Sequence, residues 1–217
     1  MTRDAYHQEL REIEEAVVQM AALVEAAIAR ATQALTQRDT LLAEEVIAGD
    51  GTVNEMQRSI RNRCISVMAR QAPVARDLRE ISTVQLVINE LERMGDHAVG
   101  IAKQALRLRE TEQLPLSGDL VELAKLVREQ VRAGTSAFID VNVQAARDVC
   151  LRDDEIDHQY RTIFSELVER MTKDPALIPA ATSLLFAAHD LERIGDRVTN
   201  ICEDVIYMVT GEIEELN

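Results

Sequence analysis

The sequence has 217 residues, 47% of them hydrophobic, which is enough for one large domain or two small ones with a buried core. Its formal charge of −14 argues against nucleic acid or an anionic lipid surface as a partner, because a negative surface repels phosphate groups. It contains three Phe, three Tyr and no Trp. The core must therefore consist of aliphatic residues and Met, which is typical of helical bundles.

The cysteines and the apolar stretches give no sign of secretion or of a membrane span. Cys64, Cys150 and Cys202 lie far apart and form no Cys-x-x-Cys pair, so we expect buried, unreactive thiols in a reducing cytoplasm. The longest apolar stretch, 177–188, is interrupted by Pro179 and is shorter than the ~20 residues that span a bilayer. We therefore predict a cytoplasmic protein that reaches the membrane only through protein partners.

Apolar residues recur at intervals of three and four along almost the whole chain, which predicts helices rather than strands. The pattern is interrupted at Pro73, in the segment that begins at Glu110, at Pro175 and at Gly211. Together with the apolar spacing, these interruptions predict six helices, at about residues 4–37, 40–70, 74–109, 118–140, 142–172 and 175–210.

The chain contains an internal repeat. The hexapeptide LERMGD begins at Leu91, and LERIGD begins 100 positions later, at Leu191. Upstream, 33–54 aligns with 136–157 at an offset of 103, which places Asp50 on Asp153. Such a repeat predicts an all-α fold of two tandem, similar three-helix bundles. We assign the first repeat to 1–110, a linker to 111–117 and the second repeat to 118–211.

Each hexapeptide carries two carboxylates four positions apart, Glu92 with Asp96 and Glu192 with Asp196. Residues at this spacing lie on one face of a helix, where two like charges cost an isolated helix about 0.2 to 0.5 kcal/mol. A neighbouring positive charge is therefore expected. On the second helix, the polar face extends to His189 on one side and to Asn200 on the other.

Two sources of positive charge are open. Arg93 and Arg193 could form ordinary surface ion pairs, or a hard or borderline cation such as Mg²⁺, Mn²⁺ or iron could bind the carboxylate oxygens. The duplication favours the cation. Gly95 and Gly195 each cost a helix interior about 1 kcal/mol relative to Ala, which indicates that another helix or a ligand comes close beside the carboxylates.

The sequences LERMGDHAVGIAK and LERIGDRVTNICEDVIYMVTGE resemble the two copies of the Glu/Asp-x-x-x-Asp motif of the PhoU family, cytoplasmic regulators of bacterial phosphate uptake. QAPVARDLREI, from Gln71, is similar to the segment that precedes the first motif in that family. The resemblance covers nearly the whole chain and implies two three-helix bundles. It also implies Mg, Mn, Fe or Zn ions, singly or as iron clusters, at Glu92, Asp96, Glu192 and Asp196. Asn200 and His189, which lie on the polar face of the second copy, are further candidate ligands. Gly100 stands where the second copy has Asn200, so we expect a less complete ligand set in the first copy.

The resemblance further implies a non-enzymatic adaptor and predicts its partners. These are the ATPase subunit of a Pst-type phosphate transporter and a sensor histidine kinase of the PhoR type, which the adaptor holds in its repressing mode when phosphate is plentiful. We also expect a homodimer. Asp77 and Arg79, at the start of the third helix, are candidates for partner contact, although helix capping and ion pairing explain them equally well.

Two other classes of function stay open. A metal-dependent phosphohydrolase could use the acidic motifs to activate water, but the sequence shows no evident general base, no P-loop and no convergent basic residues for a phosphate group. A purely structural helical tether with solvated acidic faces is the second alternative.

Overall fold

A computed structural model describes residues 3–109, 111, 114 and 118–216, and within these ranges the chain is helical without any β-strand. The all-α prediction is confirmed. The elements are α1 (Arg3–Gln37), α2 (Thr40–Gln71), α3 (Arg76–Leu108), α4 (Gly118–Ile139), α5 (Val143–Cys150), α6 (Asp153–Lys173), a short 3-10 turn (Pro175–Leu177) and α7 (Ile178–Thr210).

The fifth predicted helix, 142–172, is divided into α5 and α6 at Leu151 and Arg152. Neither residue is Gly or Pro, so the sequence carries no ordinary signal for this break. The new helix begins with three acidic residues, Asp153 to Glu155, which favour the positive end of a helix dipole. Asp153, the first residue of the new helix, is only 8% exposed.

The turn before α2 and the turn before α5 have the same geometry, which supports the alignment at an offset of 103. Arg38 and Val141 both adopt a positive φ, of 53° and 51°. The next residue in each turn, Asp39 or Asn142, caps the following helix by accepting a hydrogen bond from a backbone N–H three positions later, at 3.0 Å. The two repeats therefore share this turn as well as their helices.

The central contact of the fold is an antiparallel crossing of α3 and α7. Glu90 on α3 pairs with Arg197 on α7 at 3.2 Å, and His97 pairs with Asp190 at 2.9 Å. At the repeat offset of 100, Glu90 corresponds to Asp190 and His97 to Arg197, so the two pairs are equivalent. They lie on either side of the hexapeptides, and LERMGD therefore crosses LERIGD. A pseudo-two-fold axis passes through this crossing. The outer helices α2 and α6 flank α3 and α7, while α1 packs against α4.

The core has the aliphatic composition that was predicted. The largest fully buried side chains are Ile, Leu and Met, and all three cysteines are buried and free of disulfides. Within the part of the chain that the structure describes, no helix is long and apolar enough to cross a membrane. Of the predicted linker 111–117, only Thr111 and Leu114 lie within the described residues, so the assigned repeat boundaries stay a prediction.

Gly134 on α4 faces α7 so closely that a methyl group in its place would overlap Val198 Cγ1. We predict that Gly134→Ala lowers the free energy of unfolding by about 1 to 3 kcal/mol, because the helices must separate or repack. Gly51→Ala, on the exposed side of α2 with nothing within 4 Å, is the matched control and should raise it by up to about 1 kcal/mol. Urea titrations measure both. Equal effects of the two variants would contradict the close approach.

Candidate metal centres at the repeated acidic motifs

The first acidic motif lies opposite a second polar pair on α2. Glu92 and Asp96 are close enough to Asp50 for its charge to raise the pKa of both carboxyls. Asn54 Nδ2 donates to Asp50 Oδ2 at 2.8 Å, so these two side chains share one face of α2. We call Asp50, Asn54, Glu92 and Asp96 the first acidic cluster.

The second motif has the same arrangement, with α6 in place of α2. Asp153 and Asp157 on α6 raise the pKa of Glu192 on α7, and Asp157 also raises that of Asp196. Gln130 on α4 donates from Nε2 to Asp153 Oδ1 at 2.9 Å. We call Asp153, Asp157, Glu192 and Asp196 the second acidic cluster.

The close approach that was predicted beside the motif glycines is found at Gly195 and not at Gly95. A Cβ atom at Gly95 would lie 3.5 Å from Val53 Cγ1 on α2. At Gly195 it would lie 3.1 Å from Gln130 Oε1 and 3.2 Å from Asp153 Oδ1, closer than most real Cβ contacts. Glycine at 195 therefore allows α7 to approach Gln130 and Asp153 closely, whereas at 95 a methyl group would make only an ordinary van der Waals contact.

Burial and repulsion raise the pKa of the four motif carboxyls, Glu92, Asp96, Glu192 and Asp196, and of Asp153. Burial is the largest cause of the raised pKa of Glu92, Asp96, Asp153 and Asp196, and repulsion from neighbouring carboxylates adds to it. The effect is greatest at Glu192, whose pKa rises to about 7. A bound cation would relieve this repulsion.

Three buried oxygen atoms in or beside the clusters lack a hydrogen-bond donor. They are Asn54 Oδ1 in the first cluster, Glu192 Oε2 in the second, and Gln130 Oε1 beside Gly195. A buried acceptor without a partner is costly, and a hard cation satisfies oxygen atoms of this kind. The donor types of both clusters therefore fit such an ion.

The ion-pair alternative is realised in part. Arg193 pairs with Asp196 at 2.7 Å, and Arg161 pairs with Asp157 at 2.6 Å. Arg93 instead pairs with Glu90, at 3.7 Å. Across the described ranges, no three His, Cys, Asp or Glu side chains converge tightly enough to hold a metal ion in their present rotamers. A metal ion in the second acidic cluster would thus compete with Arg193 and Arg161 for Asp196 and Asp157.

The two further ligand candidates in the second repeat differ in position. His189 lies at the edge of the second acidic cluster, with Nδ1 3.4 Å from Glu192 Oε2 and its ring beside that of Tyr160. Asn200 instead donates from Nδ2 to Glu90 Oε2 across the α3–α7 crossing, at 3.1 Å. The amide of Asn200 therefore contributes to the crossing, and its role as a metal ligand stays a prediction.

The equivalent residue in the first repeat, Gly100, also belongs to the crossing. A side chain there would overlap the carboxylate of Asp190, the counterpart of Glu90. The difference between Gly100 and Asn200 thus distinguishes the two sides of the crossing. It no longer gives a reason to expect a less complete ligand set in the first repeat.

Four cluster residues were not recognised from the sequence: Asp50, Asn54, Asp153 and Asp157. Two signals could have identified them. Asp50 aligns with Asp153 and Asn54 with Asp157 at the offset of 103, and each pair has the same four-residue spacing as the motifs on α3 and α7.

The two candidates for partner contact have neighbours within the chain. Arg79 donates from Nε to the carbonyl oxygen of Met208 at 3.3 Å, in the last turn of α7, where a basic side chain is favourable. Asp77 lies in the first turn of α3, as expected for a favourable dipole interaction. A role of either residue in partner binding stays a prediction.

Beside the crossing, α2, α3 and α7 enclose an open cleft of about 610 Å³ whose lining includes Arg61, Glu90, Glu203 and Asp204. Burial, with repulsion from Glu90 and Glu203, raises the pKa of Asp204 to about 7. The cleft therefore holds a carboxyl group that is about half protonated near neutral pH.

The fold and the two clusters define a duplicated all-α protein with an acidic site between helices in each repeat. The PhoU domain family matches residues 17–105 and 120–205 of the chain. The chain belongs to the PhoU family.

A Clostridium acetobutylicum protein named phosphate-specific transport system accessory protein PhoU homolog is 37% identical over 218 residues, covering 100% of both chains. A relative of the same name from Aquifex aeolicus is 38% identical and covers 95% of this chain, which spans 93% of the relative.

Two crystal structures are similar to the whole chain. PhoU from Pseudomonas aeruginosa is 34% identical with a TM-score of 0.92, over 95% of this chain and 100% of that one. The phosphate transport system regulatory protein PhoU from Streptococcus pneumoniae is 32% identical with a TM-score of 0.91, over 97% and 99%. Such relatives are named as accessory or regulatory proteins and not as enzymes, which confirms the prediction of a non-enzymatic family.

The raised pKa of Asp204 predicts a pH dependence. A carboxyl whose pKa is higher in the folded chain than in the unfolded chain contributes stability at low pH and loses it as the pH rises through about 7. Because an unfolded aspartate ionises near pH 4, this loss develops between about pH 4 and pH 7, so the advantage of Asp204→Asn over wild type should be about 1 kcal/mol larger at pH 8 than at pH 5. Thermal unfolding at both pH values measures this, with the exposed Asp140→Asn as control. A gain at pH 5 alone would refute the assignment.

Proposed function

We propose that this chain is an accessory protein of the phosphate-specific transport system that links transport to transcriptional control. In this role it contacts the ATPase subunit of the transporter and a PhoR-type sensor kinase, and it keeps the phosphate-starvation response off when phosphate is plentiful. The observation that carries the proposal is the full-length match to accessory proteins of that system, with the duplicated fold intact. A homodimer is also expected.

Metal ions form part of the proposal. One cation would bind between α2 and α3 through Asp50, Asn54, Glu92 and Asp96. Another would bind between α6 and α7 through the four carboxylates of the second acidic cluster. The raised pKa values and the unpaired oxygen atoms of the clusters support both sites. Each ion would neutralise carboxylates on two helices and so hold those helices together. Mg, Mn, Fe and Zn ions are the candidates.

A structural tether without metal is a second candidate, and one observation favours it. The Arg193–Asp196 and Arg161–Asp157 pairs already neutralise part of the second acidic cluster. If these pairs persist in solution, the acidic faces are ordinary solvated surfaces, and the chain would dock on its partners in the same way with or without metal.

The metal proposal predicts that Glu192→Ala combined with Asp196→Ala abolishes binding at the second site and removes about half of the bound metal, because two anionic ligands vanish together. Asp153→Asn should weaken the same site less. The control is Glu122→Ala with Glu129→Ala, which removes two exposed carboxylates of α4 outside both clusters. Elemental analysis after dialysis against Mn²⁺ and the Mn²⁺-dependent shift in Tm are the measurements. Unchanged metal content in the Glu192/Asp196 variant would refute this site.

The adaptor proposal predicts that deleting the gene leaves the phosphate-starvation response on in phosphate-rich medium, while the transporter itself is still made. The relay should fail through loss of protein contacts and not through loss of turnover. Reporter expression in the deletion strain and pull-down with the ATPase subunit and the sensor kinase are the measurements, with the wild-type gene restored as control. Normal repression in the deletion strain, together with capture of neither partner, would show that the adaptor proposal is wrong.

A further inference from the structure

Large apolar side chains are exposed at matching positions in the two repeats. One matched pair of residues lies on the outer helices α2 and α6, at the offset of 103. Two matched pairs lie on the central helices α3 and α7, at the offset of 100. The exposed fractions of the matched residues are similar: Ile65 at 50% and Val168 at 39%, Leu78 at 43% and Ile178 at 46%, and Leu86 at 44% and Phe186 at 49%. We call Ile65, Leu78 and Leu86 the first apolar strip, and Val168, Ile178 and Phe186 the second.

In the first repeat, contacts between α2 and α3 place Ile65 beside Leu86. Arg61 donates to Asn89 Oδ1 at 2.6 Å on one side of this position, and Gln85 Nε2 lies 3.9 Å from Met68 Sδ on the other. The first acidic cluster lies further along the same pair of helices. Ile65, Leu86 and the carboxylates therefore follow one another along the same pair of helices.

The second repeat has the same order along α6 and α7. Thr182 Oγ1 lies 3.9 Å from Met171 Sδ at one end of the strip, and the ring of Tyr160 lies 5.9 Å from that of His189 at the other. Val168 and Phe186 lie between these contacts. The second acidic cluster follows immediately after His189.

Both strips face the same side of the molecule. Antiparallel neighbouring helices such as α3 and α7 can be related only by a two-fold axis perpendicular to the layer that they form. Such an axis maps each face of the layer onto itself. With a rise of about 1.5 Å per residue, Leu86 and Phe186 lie about 20 Å apart along the helix axes, on opposite sides of the crossing.

We propose that the two apolar strips are equivalent docking sites for one homodimeric protein, each of whose subunits presents an apolar surface flanked by basic residues. Two matching sites related by a pseudo-two-fold axis suit a partner that has two-fold symmetry itself. Basic residues beside the partner's apolar surface would complement the carboxylate cluster that follows each strip. The net charge of −14 on this chain adds to that attraction. The inference rests on the proposed function, which makes the transporter ATPase subunit the partner to test.

The test measures binding of the purified, dimeric ATPase subunit to the full chain by biolayer interferometry. Leu86→Asp and Phe186→Asp should each weaken binding about 10-fold, because one of the two linked contacts remains. The double variant should weaken binding about 100-fold or more, because both contacts are lost. The matched control is Leu41→Asp with Ile139→Asp, whose side chains are 71% and 47% exposed and have no apolar counterpart in the other repeat. The control should bind like wild type, and far-UV circular dichroism should show that all variants are folded.

The outcomes separate this inference from the proposed function. Binding of the wild type together with equally tight binding of the double variant would overturn the docking sites alone. If the wild type does not bind the ATPase subunit, both the transporter contact and this inference fail. Analytical ultracentrifugation adds a third outcome: a wild-type dimer that the double variant converts to monomers would assign the strips to self-association and overturn the inference.

Discussion

The antiparallel crossing of α3 and α7 is the contact on which the other features of the molecule depend. It joins the two repeats through the Glu90–Arg197 and Asp190–His97 pairs. It also fixes the pseudo-two-fold axis, so that the two acidic clusters and the two apolar strips take equivalent positions. Gly100 lets Asp190 fit into this crossing, where Asn200 contacts Glu90 on the other side. The repeats are thus similar in fold but differ where they meet.

Concentrated negative charge is the second constraint. Pairing of an outer helix with a central helix brings carboxylates together in each repeat, closely so beside Gly195, and burial raises the pKa values of the motif carboxyls. An arrangement of this kind costs stability unless protons, arginines or cations neutralise it. Two arginines pair with carboxylates of the second acidic cluster. Binding of a cation would replace these pairs and link α6 to α7, so metal occupancy could influence the surface on which the apolar strips lie.

Local patterns in the sequence predicted much of this architecture. Apolar spacing predicted the helices, and the hexapeptides predicted the repeat and one half of each acidic cluster. The break at Leu151 was missed because no Gly or Pro marks it. Asp50 and Asp153 were missed as cluster members because helix pairing decides which faces meet, and a periodic pattern on one helix does not specify its neighbour. The position of Asn200 was assigned by extending a stripe along α7, whereas the crossing places its side chain against α3.

The central claim is that each repeat builds a cation site between its outer and central helices. Anomalous scattering from crystals of the full chain grown with Mn²⁺ tests it most directly. The account predicts two peaks, one between Asp50 and Asp96 and one between Asp153 and Asp196. Peaks located only in the cleft near Glu203 and Asp204, or no peaks at saturating Mn²⁺, would contradict it.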